Sequence, residues 1–392
     1  MSLPSAGSPP DREGFVPPPY PQARLGELRH IAEAVPGGAI DTSVGTPVDP
    51  MPEIAVRALT ETAALATGYP QSIGSPHFRG AAAAWVQRRF GVEIASDAVL
   101  ACVGTKEAVA GLPHLLALRT PARDTVLYPA VAYPTYAMGA TLAGLRSVPI
   151  PVDADWHLDL DAVDPADADR ALIVWLNDPA NPTGASASPD RMARTVDWAR
   201  SHGAIVASDE CYAEFTYDDT GAPASPVTAL GHGRDGVLAL HSLSKRSNMA
   251  GLRAGFFAGD PELVGYLGEV RRHAGMMVPA PVQAAAAAAL SDDAHVEDQR
   301  ARYADRRARL LPALGALGLV HEGGPSAFYL WLRDHEDDRN DGWGVAALLA
   351  RRGIVVAPGD LYGPPGARHV RLALCIPDAR LGLALERLDT PR

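Results

Sequence analysis

The sequence predicts an α/β protein with a large, mostly parallel, doubly wound sheet and a smaller α+β domain beside it. Three observations lead there. Five short apolar runs end in turn residues, and most lead into helix-like stretches. Polar residues able to do chemistry gather just past the ends of those runs. After Arg272 the pattern changes to long helical segments and a second group of strands. Continuous β-branched runs alternating with helices indicate a parallel sheet covered on both faces, the doubly wound arrangement.

Taken in order, VLACVG (Val99 to Gly104) precedes a helix-like run from Lys106 to Leu118, and TVLYP (Thr125 to Pro129) precedes Tyr133 to Leu145. ALIVWLN (Ala171 to Asn177) precedes Pro189 to His202. AIVASDE (Ala204 to Glu210) and VLALHS (Val237 to Ser242) follow. Ala284 to Leu317 reads as helical, and Pro312 inside it predicts a kink or break. Then come the strand FYLWL (Phe328 to Leu332), a charged loop HEDDRND, a helix GVAALLARRG, a strand IVVAP and a last strand HVRLALC. The resulting division is 1–45 as an N-terminal arm with part of the small domain, 46–275 as the large domain, and 276–392 as the small domain. The first 22 residues are proline-rich and read as a stiff extended arm, not a signal peptide.

Composition narrows the function. The 392 residues carry 35 Lys and Arg against 46 Asp and Glu, a net charge of −11. That balance argues against nucleic acid or an anionic membrane as main partner. No apolar run reaches the ~20 residues that span a bilayer. Cys102, Cys211 and Cys375 are odd in number, far apart and without CxxC spacing. No disulfide framework or metal site is expected, and the protein reads as cytoplasmic.

There are only two lysines, Lys106 and Lys245. Lys245 follows a strand in a Ser-rich turn, with Arg253 eight residues on. A surface position would explain it equally. The combination also suits a Schiff-base lysine beside a phosphate anchor, because Ser242 and Arg253 supply a hydroxyl and a bidentate fork. Asp209 ends a strand, where a buried carboxylate needs a cation or serves as a helix cap. Tyr212 lies three residues on. Asn181, in the turn NDPANPTG, offers both a donor and an acceptor. Gly104, Thr105 and Lys106 open a helix, where backbone N–H groups favour a phosphate. In open α/β sheets the ligand crevice lies beyond the carboxyl ends of the strands, so four such loops should converge there.

The segments NPTG, SDECY and SLSKxxxxxGxRxG, in this order, resemble fold-type I pyridoxal-phosphate aminotransferases of class I and II. The likeness runs from GTPVDP to RLALC. It implies that Lys245 bonds the cofactor and Asp209 pairs with the pyridine nitrogen. Asn181 and Tyr212 would hold the phenolate oxygen, and Tyr133 would stack on the ring. Gly104, Thr105, Lys106, Ser242 and Arg253 would surround the phosphate. Tyr69 looks like the tyrosine that reaches the partner's phosphate in a homodimer with shared sites. Arg371 would bind the substrate α-carboxylate, with Gly45 closing the site and Asn181 beside it.

GYPQSIGSPHFRG, ASDECYAEF and LHSLSKRSNMAGLRAG are most similar to succinyldiaminopimelate aminotransferases of actinobacteria. That implies glutamate and N-succinyl-2-amino-6-oxopimelate as amino-acid and 2-oxo-acid substrates. Arg79, Arg246 and His77 are candidates for the distal carboxylates. Aminotransferases of aspartate, kynurenine or diaminopimelate specificity and C–S lyases share these motifs, since fold does not fix function. Ser242 to Lys245 also fits S-x-x-K of the β-lactamase group, but the accompanying SDN and KTG are missing. A pyridoxal-phosphate-binding regulator would need a DNA-binding module, for which the N-terminal arm is too short and too rich in proline.

Overall fold

The computed structural model describes residues 15–18, 24–335 and 341–389. Most of the proline-rich arm and most of the HEDDRND loop lie outside the described residues. The strands are β1 (Ile40–Asp41), β2 (Val99–Cys102), β3 (Thr125–Pro129), β4 (Arg146–Ile150), β5 (Ala171–Asn177), β6 (Ile205–Asp209), β7 (Val237–Ser242) and β8 (Gly255–Gly259). They continue with β9 (Leu319–His321), β10 (Tyr329–Asp334), β11 (Ile354–Val355), β12 (Ala357–Pro358) and β13 (His369–Ala373). No helix among the described residues is long and apolar enough to cross a membrane.

Seven strands form the large sheet in the order β2-β8-β7-β6-β5-β3-β4. Its apolar runs are continuous because both faces are covered. Along β2, Val99 and Ala101 enter the core on one side, while Leu100 and Cys102 enter the core on the other. That is the two-residue period of a strand with no wet face. Trp175 and Leu172 meet the helix Thr105–Arg119 on one side, and Val174 and Leu176 meet the helix Pro189–Ser201 on the other.

β8 was not legible as a strand in the sequence, and it is the one that runs antiparallel to both neighbours, β2 and β7. Its amino end therefore lies at the sheet edge where the parallel strands end. Gly255 pairs with both Cys102 and Ser242. Arg253, two residues earlier, is delivered to the same edge as Asp209 and Asn177. β4 also escaped the reading, since RSVPI is short and interrupted by Pro149.

The second sheet, β12-β13-β10-β9, is antiparallel, and β1 pairs with β11 in a separate parallel ribbon. The expected single strand IVVAP is thus divided. Ile354 and Val355 pair with β1, whereas Ala357 and Pro358 pair with β13. Leu28 and Ala32 of the first helix, Gly26–Glu33, and its cap residue Leu25 share a core with Leu310, Leu349 and Leu388.

Two helical expectations are corrected. The break expected at Pro312 falls instead at residues 291–293, between the helices Ala280–Leu290 and Ala294–Ala316. Pro312 stays inside the second helix. Both Pro312 and Ala308, whose carbonyl loses its N–H partner, are exposed, so water satisfies that carbonyl. The helix Ala280–Leu290, placed beyond the 275 boundary by the sequence, packs in the core of the large sheet. Its alanines are small enough for the helices Glu53–Thr62 and Pro76–Phe90 to lie close against it.

Candidate active site

The carboxyl ends of β2, β5, β6 and β7 and the amino end of β8 surround a cavity of about 240 Å³. Its lining includes Gly45, Thr105, Lys106, Tyr133, Asn181, Asp209, Tyr212, Ser242, Lys245, Arg253, Tyr329 and Arg371. Parallel crossovers return the ends of β5, β6 and β7 to one edge, antiparallel β8 delivers Arg253 there, and the small sheet adds Tyr329 and Arg371. Gly104 stands just behind, as the cap residue of the helix Thr105–Arg119 with φ +74°. A side chain on Gly104 would occupy the space of the Arg253 guanidinium. Arg253 itself adopts a left-handed backbone, φ +58°, and donates to the carbonyls of Ala250 at 2.9 Å and Val103 at 3.3 Å.

Lys245 lies in a one-turn helix directly after β7 and donates from Nζ to the Gly45 carbonyl. Burial lowers its pKa below that of an ordinary lysine. Its ammonium sits 5.7 Å from the Phe328 ring and 5.8 Å from the Tyr212 ring. A lysine in that setting loses its proton more readily than one in water.

Asp209 ends β6 and is buried, and burial raises its pKa. The side chain and amide of Cys211, the Tyr136 hydroxyl and the charge of Lys245 oppose that shift. The Tyr136 hydroxyl donates to Oδ2 at 2.8 Å, and the Cys211 amide donates to Oδ1 at 3.3 Å. Tyr136 is held in turn by stacking on Trp175, with centroids 5.0 Å apart. The sequence singled out Tyr133 from AYPTY and passed over Tyr136. Tyr136 lies on the helix Thr135–Leu142 and Tyr133 just before it, so no shared helical periodicity marked Tyr136 for the site.

Arg371, on β13, is buried and donates to Asn181 Oδ1 at 2.8 Å and to the Ser43 carbonyl at 2.6 Å. Its guanidinium lies 4.3 Å from the Tyr329 ring and 5.0 Å from the Tyr362 ring. Among the described residues its Nε has no hydrogen-bond partner. Because Asn181 spends its oxygen on Arg371, its amide N–H groups remain as donors. Tyr329 also escaped the sequence reading, since FYLWL reads only as a core strand. Its hydroxyl lies 2.8 Å from the Tyr212 hydroxyl and fills the space a side chain on Gly45 would need.

The remaining candidates fall elsewhere. Tyr69 is 95% exposed, away from the cavity of its own chain. The three residues proposed for distal carboxylates do not line the cavity. Arg246 is buried and locked to Glu214 at 3.0 Å and Asp293 at 2.8 Å. Arg79 is spent on the carbonyls of Gly74 and Ser96. His77 is exposed on the helix Pro76–Phe90. Lys245 points into the cavity and its neighbour Arg246 away from it, so adjacency in sequence was misleading.

These residues fit the cofactor that the sequence resemblance implies. Lys106, Lys245, Arg253 and Arg371 against the single carboxylate Asp209 suit a dianionic phosphate and a substrate carboxylate. The buried Asp209 suits a cationic ring nitrogen. The glycine cradle at Gly104 opens backbone N–H groups to an anion.

Comparison with known proteins agrees. A family model described as aminotransferase class I and II matches residues 39–388. A "Probable aminotransferase" of Mycobacterium tuberculosis is 46% identical over 377 residues, covering 95% of this chain and 85% of that protein. The 4-dedimethylamino-4-oxo-anhydrotetracycline transaminase of Streptomyces rimosus is 44% identical over 371 residues, covering 95% and 99%. The solved structure of a "probable N-succinyldiaminopimelate aminotransferase" from Thermus thermophilus superposes with a TM-score of 0.84. It is 31% identical and covers 93% of this chain and 98% of that one.

Proposed function

The chain belongs to the class I and II aminotransferases, which depend on pyridoxal phosphate, and from there we propose that it transfers an amino group between glutamate and N-succinyl-2-amino-6-oxopimelate. The observation that carries the reading is Arg371, a buried fork beside Lys245 whose Nε has no hydrogen-bond partner among the described residues. One such fork serves the α-carboxylate of the donor and of the acceptor in turn. The likeness to the Thermus protein supports the succinylated acceptor.

When bound, pyridoxal phosphate supplies the electron sink for the charge left as the substrate Cα–H bond breaks. The chain supplies the rest. Lys245 would anchor the cofactor and, with its amine free, would take the proton from the substrate Cα and deliver it to C4′ of the cofactor. Its lowered pKa suits that exchange. Asp209 keeps the ring nitrogen protonated. Tyr212 and the Asn181 amide donate to the phenolate oxygen, and Tyr133 covers the ring. Thr105, Ser242, Arg253 and the amides after Gly104, including that of Lys106, hold the phosphate. Gly45 closes the site beside Arg371, where its missing side chain leaves room for the Tyr329 hydroxyl.

We place the working enzyme in the cytoplasm, where free thiols such as the buried Cys102, Cys211 and Cys375 persist. We propose a homodimer with Tyr69 reaching the partner's phosphate. Its 95% exposure on its own chain supports a second copy at this face.

The likeness to the tetracycline-pathway transaminase favours a second reading, an acceptor that is a polycyclic ketone. With glutamate as donor, kcat/KM for the succinylated keto acid should exceed that for oxaloacetate, an aromatic keto acid and a polycyclic ketone. Preference for oxaloacetate or the aromatic acid would make the enzyme a general aminotransferase. Preference for the ketone would select the second reading.

A further inference from the structure

Tyr329 belongs to the small sheet, on β10, yet its side chain ends inside the cavity. It is 1% exposed, and its ring packs beneath the Arg371 guanidinium at 4.3 Å. Its hydroxyl lies 2.8 Å from that of Tyr212. The two rings stand edge to face, 5.4 Å apart, so neither phenol swings away without opening the core around Phe328. Gly45 belongs to the same arrangement, because any side chain there would displace the Tyr329 hydroxyl. The Gly45 carbonyl receives Lys245.

A phenol has one proton to donate. If the Tyr212 proton goes to the cofactor's phenolate oxygen, the shared Tyr212–Tyr329 contact needs the Tyr329 proton. We propose that Tyr329 is a positioning residue: its hydroxyl donates to Tyr212, turns the Tyr212 proton toward the cofactor and strengthens it as a donor. The proposal rests on the role given to Tyr212 under the proposed function. The strengthening follows because chained hydrogen bonds polarise one another at low dielectric. A stronger donor draws charge from the phenolate oxygen. That oxygen also attracts the proton on the lysine nitrogen joined to the cofactor. Tyr329 therefore weakens the hold on that proton, although it touches neither group.

The test is a spectrophotometric pH titration of the visible band in the loaded enzyme, without turnover. Tyr212→Phe should raise the midpoint strongly. Tyr329→Phe should raise it in the same direction by about a threefold gain in proton affinity, the scale of one net hydrogen bond acting at second hand. The double variant should titrate like Tyr212→Phe alone, since Tyr329 acts through Tyr212. An unchanged midpoint in Tyr329→Phe, beside a raised one in Tyr212→Phe, would overturn this proposal and leave the Tyr212 assignment standing. An unchanged midpoint in Tyr212→Phe would overturn both. Additive shifts in the double variant would show that Tyr329 acts independently of Tyr212, which also overturns it.

Discussion

The Tyr136 hydroxyl donates to Oδ2 of Asp209 at 2.8 Å, so the carboxylate at the end of β6 is oriented before any ligand arrives. Burial raises the Asp209 pKa, and this donor with the Cys211 amide holds it back toward the charged form. Preorganisation of this kind is effective in a dry site, because no solvent must reorganise as charge develops. Asp209→Asn should keep the fold and some cofactor but lose about 3 kcal/mol of transition-state stabilisation, a fall of roughly a hundredfold in kcat. Near wild-type turnover would remove Asp209 from the mechanism.

The two lysines make attachment simple to read. Borohydride should bleach the visible band irreversibly, and peptide mapping should find the reduced adduct on Lys245. Lys245→Ala should bind cofactor weakly, without a borohydride-stable bond and without turnover. An adduct on Lys106 would refute the assignment.

Shared sites predict complementation. Tyr69→Phe and Lys245→Ala subunits, mixed and allowed to exchange, should form heterodimers with one site holding both intact residues. Activity should rise above the average of the two separate variants. A protein that sediments as an active monomer would exclude the arrangement.

Acid should weaken one contact of the small sheet in a defined direction. Glu322 meets Arg333 at 2.6 Å and His369 at 2.9 Å, and the hydrogen bond from Arg333 brings its pKa down to about 2. The folded value lies below the ordinary 4.5, so the unfolded chain takes the proton first. The stabilisation is present above pH ~4.5 and drains away as pH falls toward 2. Glu322→Gln should be less stable than wild type at neutral pH, by denaturant unfolding, and the gap should narrow through that window. A gap independent of pH would show that packing, not charge, holds the contact.

The sequence by itself determined the parallel β-strands that carry the chemistry and most of the cavity's residues. β3, β5 and β7 coincide with apolar runs bounded by turn residues, and Asn181, Asp209 and Lys245 follow strand ends that a parallel sheet must bring together. Local patterning suffices there because both faces of such strands are buried and the crossovers share one hand. Tertiary structure decided what depends on neighbours remote in sequence. It divided IVVAP between two sheets and carried one helix through Pro312 into water. It sent Arg246 back to Glu214 while Lys245 faced the cavity. It also brought Tyr136 to Asp209 and Tyr329 to Tyr212, across 73 and 117 positions. Where a side chain points, and which distant group it meets, is fixed by how the elements pack, and no local periodicity carries that information.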